Sequence, residues 1–263
     1  NIFCINCESI QELEVINHIA HLKKKEVRVA LRLNPNVDAH THNNITTGLS
    51  INKFGISLND LNKIIDNIDM YSNLIIDGIH FHIGSQITDL AVFYELCRVV
   101  NKTQKSFIQK GIVLNHINLG GGLGINYLEP EDQIPDFQSY FSIFNKNLQA
   151  FDHQTVHFEP GRSIIGQCGA LITKVLYVKE NDNRNTLILD AGFTELLRPA
   201  LYQANHKIIN LSSKHNFKTY DIAGPICETS DYFGKSVHFP VSKRGDLVAI
   251  LSAGAYGEVM SSR

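Results

Sequence analysis

The sequence predicts an α/β protein, part of a (β/α)8 barrel followed by a mainly β domain. Two changes of texture carry that prediction. Through the first part, short β-rich runs alternate with longer segments of helical spacing, the pattern of parallel βα units. From Cys168 onward the segments become β-type, separated by Gly, Asn, Asp and Ser turns. With 263 residues and 43% apolar side chains, the chain can fill a sizeable core.

The predicted strands of the first part are Ile2 to Ile5, Val27 to Leu33, Ile75 to His82, Val113 to Leu119 and Thr155 to Phe158. Between them, Ser9 to Leu22, Ser57 to Tyr71, Asp89 to Lys110 and Pro135 to Phe151 carry apolar residues at helical spacing, several opened by a capping Ser or Asp. Beyond these come the segments Leu171 to Val178, Thr186 to Leu189, Lys218 to Ile222 and Leu247 to Leu251, so the expected domains are 1–163 and 164–263. A closed eight-stranded βα barrel takes about 250 residues. Only some 163 precede the change of texture, so the rest of the barrel is expected upstream of Asn1.

Composition narrows the function. The 24 basic and 26 acidic side chains leave a formal charge of −2, and Lys23-Lys24-Lys25 is the longest basic run. Neither nucleic acid nor an anionic membrane is called for. No apolar stretch approaches the roughly 20 residues that span a bilayer. Five cysteines, an odd number in a large chain, argue against a disulfide framework and for a reducing, cytoplasmic setting. Cys4 and Cys7 form a C-x-x-C, yet they lie in an apolar run rather than at the start of a helix, which disfavours a redox pair.

Side chains at the C-terminal ends of barrel strands face the mouth where barrel enzymes do chemistry. Three predicted strands end unusually, in His80-Phe81-His82-Ile83-Gly84-Ser85-Gln86, in Asn118-Leu119-Gly120-Gly121-Gly122-Leu123-Gly124 and in Glu159-Pro160-Gly161-Arg162. Three glycines after a strand let backbone N–H groups approach an anion such as phosphate, although a tight turn alone would also explain them. The dinucleotide fingerprint fails at Ile125, and no G-x-x-x-x-G-K occurs. Glu159 and Arg162 could form a local ion pair, or set a carboxylate against a protonated ring nitrogen and a guanidinium against an oxyanion. His80 and His82, two apart, could hold a metal in a barrel hydrolase, but His116 and His157 lie deeper in their strands. A stacking or hydrogen-bonding role suits His82 better.

Six motifs then appear in order: Phe81 to Gln86, Gly120 to Gly122, Glu159 to Arg162, Asp190-Ala191-Gly192 with Arg198 to Tyr202, Gly224-Pro225-Ile226-Cys227-Glu228, and Gly254-Ala255-Tyr256-Gly257. Together with Asn6 to Ser9, Thr47-Gly48-Leu49 and Lys53 to Ile56, this order resembles the diaminopimelate decarboxylases within the alanine racemase-like, fold-type III family, over nearly the whole chain.

The resemblance implies pyridoxal 5'-phosphate at the barrel mouth. Its phosphate would be held by Gly120, Gly121 and Gly122, by backbone near Gly161 and Arg162, and by Tyr256, with Ser85 helping. His82 would stack on the ring, and Glu159 would keep the ring nitrogen protonated. Arg162, Arg198, Tyr202, Glu228 and Tyr256 would read the amino-acid substrate. Arg198 and Tyr202, four apart, share a face if that stretch is helical. Cys227 would supply the proton after carbon dioxide leaves, reaching the site from the partner subunit of a homodimer. Where the family usually has Ser after the Glu, this chain has Thr229.

The implied reaction is decarboxylation of meso-2,6-diaminopimelate to L-lysine, the last step of lysine biosynthesis. A related ornithine, arginine or carboxynorspermidine decarboxylase, or a non-catalytic homologue, are the alternatives. The family's cofactor lysine sits in a Tyr-x-x-Lys-Ala stretch that this sequence does not contain, so it is expected upstream of Asn1. An Asn/Tyr-rich segment is expected after Arg263.

Overall fold

The computed structural model describes residues 2–37, 48, 53–181 and 184–262. Thr47 and Leu49 of the motif around Gly48 lie outside them. The chain divides into two compact units, one of Asn1–Leu123 with Asp136–Pro160 and one of Gly124–Pro135 with Gly161–Arg263.

In the first unit, β1 (Ile5–Cys7), α1 (Ile10–Leu22), β2 (Val27–Arg32), α2 (Leu58–Asp66), β3 (Leu74–His80), α3 (Ala91–Gln109), β4 (His116–Asn118), α4 (Phe137–Asn147) and β5 (Thr155–His157) alternate. The five strands form one parallel sheet in sequence order, the arc of a βα barrel. Helix starts are set locally. Ser9, Ser57 and Asp136 each accept a backbone N–H from three residues on, which satisfies a donor the first turn leaves open. Helices α1 to α4 bury one face each over the sheet, and the core is dominated by Phe93, Phe107 and Tyr140 with Leu31, Ile79 and Ile117. Phe93 meets Tyr140 edge-on, with ring centroids 4.9 Å apart.

The first strand lies further along the chain than predicted. Ile2 and Phe3 are exposed, whereas Ile5 pairs with Val29 and Cys7 with Leu31, which buries Cys7 completely. Burial pushes the Cys7 thiol up to about 12 and raises that of Cys4 as well, the reverse of what a redox pair needs.

Register places Arg32, His80, Asn118 and His157 abreast at the strand ends. The residues just beyond, His82, Gly120 and Glu159, form the rim.

In the second unit a short helix α5 (Arg162–Ile165) leads into β6 (Leu171–Asn181), β7 (Arg184–Leu189), α6 (Arg198–Tyr202), β8 (Ile208–Asn210), β9 (Phe217–Ala223), β10 (Tyr232–Pro240) and β11 (Leu247–Ile250). The strands form a six-stranded sheet in the order β10-β9-β7-β6-β11-β8, antiparallel except for the β7–β9 pair. Its core is built on Tyr220, Phe233, Phe239 and Leu187. Strands β8 and β10 were not anticipated. The first is only three residues long, and the second carries Gly234-Lys235-Ser236 across two register shifts that break the period of two. The stretch from Arg198 to Tyr202 is helical, so these two side chains share a face.

Candidate active site

The rim of the first unit gathers His80, His82, Asn118, Gly120, Gly121 and Glu159. Glu159 Oε1 accepts from Asn118 Nδ2 at 2.8 Å and lies 3.3 Å from His80 Nε2, an ion-pair distance that lacks hydrogen-bond geometry. The neighbouring His80 does most to hold the Glu159 carboxyl down to about 2, with help from the Asn118 amide and against the opposing effect of burial. Glu159 is therefore an ionised, half-exposed carboxylate on the rim. Burial pushes His82 down to about 4, so its ring is neutral. Its Nδ1 accepts the Gly121 N–H at 3.2 Å, which places the ring proton on Nε2.

The expected cradle of three amides is narrower than the sequence suggests. Gly120 N–H donates to Asn118 Oδ1 at 2.8 Å and Gly121 N–H to His82, so two of the three donors are engaged within the rim. Close approach of neighbouring strand ends is what demands glycine here. A Cβ on Gly120 would stand 2.1 Å from the Phe81 carbonyl oxygen, and one on Gly121 2.2 Å from that of Glu159. Gly120 also has φ +67.

His80 and His82 gather no third ligand: among the described residues no group of three His, Cys, Asp or Glu is placed to hold a metal. His116 and His157 instead face each other, Nδ1 to Nε2, at 3.0 Å on β4 and β5. Ser85, on the loop after β3, is half-buried.

The second unit holds a cationic cluster. Arg162 and Arg198 are both buried. Arg162 Nη1 donates to the Tyr127 hydroxyl, and its guanidinium lies 4.5 Å from the centroid of the Tyr256 ring. The Arg198 guanidinium lies 4.1 Å from the Tyr127 centroid, and its Nη1 donates to His206 Nε2 at 2.7 Å. Arg198 Nε has no hydrogen-bond partner, and no carboxylate among the described residues pairs with this side chain. Tyr127 and His206 belong to this cluster but carry no motif that announced them. Tyr256, with φ +56, is partly exposed beside Arg162, while Gly161 heads α5 with open space around its Cα.

Cys227 and Glu228 lie on an exposed loop of the same unit. The loop is tied down by buried Asp231, whose Oδ1 accepts from Phe193 N at 2.7 Å and whose Oδ2 accepts from Ile226 N at 2.8 Å. One carboxylate thus joins Phe193, the residue after the Asp190-Ala191-Gly192 motif, to the Gly224-to-Glu228 motif.

A pyridoxal group asks a protein for an anion at its ring nitrogen, a flat surface for its ring and donors for its phosphate. An ionised Glu159 and a neutral, hydrogen-bonded His82 on one rim fit the first two needs. Comparison with known proteins points the same way. Residues 1–166 match the family model described as pyridoxal-dependent decarboxylase, pyridoxal binding domain. A diaminopimelate decarboxylase of Bacteroides thetaiotaomicron is 54% identical across 99% of this chain and 68% of its own length, and one of Aquifex aeolicus is 42% identical across 99% and 62%. The solved diaminopimelate decarboxylase of Helicobacter pylori in complex with L-lysine superposes with a TM-score of 0.93 at 40% identity, covering 100% of this chain and 65% of that one.

These matches and the site define a pyridoxal phosphate-dependent decarboxylase of the barrel type. Within that class, the chain belongs to the diaminopimelate decarboxylase family. It spans about two thirds of the length of these relatives.

Proposed function

We propose that the protein decarboxylates meso-2,6-diaminopimelate to L-lysine and carbon dioxide, the last step of lysine biosynthesis, as a cytoplasmic homodimer with shared active sites. The observation that carries this reading, beyond family membership, is buried Arg198 with no carboxylate partner among the described residues. An unneutralised guanidinium in a buried site calls for an anionic ligand, and diaminopimelate keeps a second carboxylate at the end away from the reaction. Ornithine has none there. The described residues include no helix long and apolar enough to cross a membrane.

Pyridoxal phosphate, when bound, supplies the electron sink that accepts the pair left behind as carbon dioxide departs. The Glu159 carboxylate would keep the ring nitrogen protonated, and His82 would offer its neutral imidazole as a surface for the cofactor ring. The groups that would hold the phosphate are the Gly120 to Gly122 loop, through the amide that Asn118 and His82 leave open, with Ser85, and the backbone at Gly161 and Arg162 with Tyr256. Arg198 and Arg162 orient the substrate carboxylates, with Tyr202, Tyr256 and Glu228 completing recognition of the distal amine and carboxylate. Cys227 would hold, on Sγ, the proton that takes the place of the departed carboxylate. Its exposure on the loop suits a group offered to a partner subunit, with the domain boundary near residue 163.

The test is carbon dioxide release from meso-2,6-diaminopimelate by the purified native protein, with L-ornithine and L-arginine as competitors. Turnover of diaminopimelate at least about a hundredfold above either is expected. Preference for ornithine would replace this reading.

A further inference from the structure

The hydrogen bonds at His206 allow only one protonation state. Its Nδ1 lies 2.8 Å from the Leu251 carbonyl oxygen, which can only accept, so Nδ1 carries the proton. Its Nε2 lies 2.7 Å from Arg198 Nη1, which can only donate, so Nε2 offers a lone pair. A second proton on the ring would set N–H against N–H. Burial acts in the same direction and pushes the imidazole down to about 4.

We propose that His206 is a positioning residue that fixes Arg198 through a neutral nitrogen, so that the guanidinium keeps its charge for a carboxylate of the amino-acid substrate. The proposal deepens the function given above and rests on it. A buried arginine is ordinarily matched by a carboxylate, which orients and neutralises it at once. Here the two tasks are separated. His206 supplies the acceptor, and the Tyr127 ring, 4.1 Å from the guanidinium carbon, supplies a polarisable wall; neither carries a negative charge. His206 meets Tyr127 edge-on at 4.8 Å, so the three side chains pack as one block. With Nε unbonded, Arg198 retains a donor for a carboxylate oxygen. Asp or Glu in place of His206 could hold the fork equally well, but it would cancel the charge that the substrate needs.

The experiment compares His206→Gln, His206→Glu and Arg198→Lys in the native protein. It reads KM and kcat for diaminopimelate, Kd for L-lysine by calorimetry, and melting temperature. His206→Gln, a neutral acceptor, should raise Kd about threefold, whereas His206→Glu should raise Kd and KM about thirtyfold or more with kcat changed far less. A folded His206→Glu protein that binds lysine as tightly as wild type would overturn the proposal, as would a Gln variant that loses as much as the Glu variant. If Arg198→Lys itself leaves Kd and KM unchanged, the carboxylate-reading role of Arg198 fails instead, so the two failures are distinct. Nitrogen-15 spectra of histidine-labelled wild type, with His206 assigned by its absence in the Gln variant, need no Glu variant to fold. They should show a neutral Nδ1–H ring at pH 7, and a charged ring or the other tautomer would overturn the proposal.

Discussion

His80 Nε2 lies 3.3 Å from Glu159 Oε1, and this pairing of a buried ring with a half-exposed carboxylate sets the charge of the rim. Because the folded-state value of Glu159 is depressed from 4.5 to about 2, its ionised form favours the fold. That contribution is fully present above pH 4.5 and is lost as pH falls toward 2. His80→Phe should therefore bring the Glu159 titration back toward 4.5, readable as a carboxyl carbon-13 shift. A Glu159 midpoint still near 2 in that variant would show that His80 is not the cause.

Gly121→Ala should destabilise the protein by about 1 to 3 kcal/mol, the usual cost of forcing extra volume into a packed site. The added Cβ would meet the Glu159 carbonyl at 2.2 Å, and backbone has little room to yield. Chemical denaturation measures the loss, and fluorescence titration should show weaker cofactor binding. Unchanged stability would mean that the strand ends separate easily.

Arg198→Lys keeps the charge but loses the planar fork that bonds His206 and lies on Tyr127. We expect KM for diaminopimelate to rise by about tenfold or more. Steady-state kinetics at wild-type values would remove Arg198 from substrate recognition.

Cys227 is exposed, whereas Cys7 and Cys97 are buried with thiols raised to about 12 and about 11, chiefly by burial. Iodoacetamide at pH 8 should therefore modify Cys227 well before either, as peptide mapping would reveal, and turnover should fall with its modification. Cys227→Ala should slow turnover while leaving the cofactor bound. Mixed with a Glu159→Gln protein, it should regain activity if one subunit's thiol serves the other's site; no recovery in hybrids would argue against sharing.

Much of this was legible in the sequence because the signals were periodic or local. Strand β3 declared itself by Ile76 and Ile79 running into His80, and the capping residues Ser9 and Ser57 start helices where their spacing says they should. The rim was legible as a set of strand ends. What the sequence concealed depends on partners far apart in the chain. Tyr127 sits in a loop without periodicity, and its meaning comes only from Arg162 and Arg198, 35 and 71 positions on. His206 follows α6 by four residues, and a histidine close behind an Arg-bearing helix was the one available hint. The glycine loop was read for its donors, yet Asn118 and His82 take two of them, a competition visible only once the strands are in register.

The acid side of stability should expose His206. Its folded-state value, about 4, lies below the ordinary 6.5, so the unfolded chain binds a proton at a pH where the folded ring does not. Stability is therefore undiminished above pH 6.5 and is lost as pH falls from 6.5 toward 4, after which both states are protonated and the loss levels off. With the ring buried, the shift corresponds to on the order of 3 kcal/mol by pH 4. His206→Gln removes the titration, so the difference in unfolding free energy between wild type and this variant should narrow across that window while staying constant from pH 7 to 9. Urea denaturation at half-unit steps of pH measures it, with the m-value checked for constancy. A difference that stays flat from pH 7 to 4 would mean that the folded ring takes up its proton as readily as the unfolded one, and the single protonation state assigned to His206 would then be wrong.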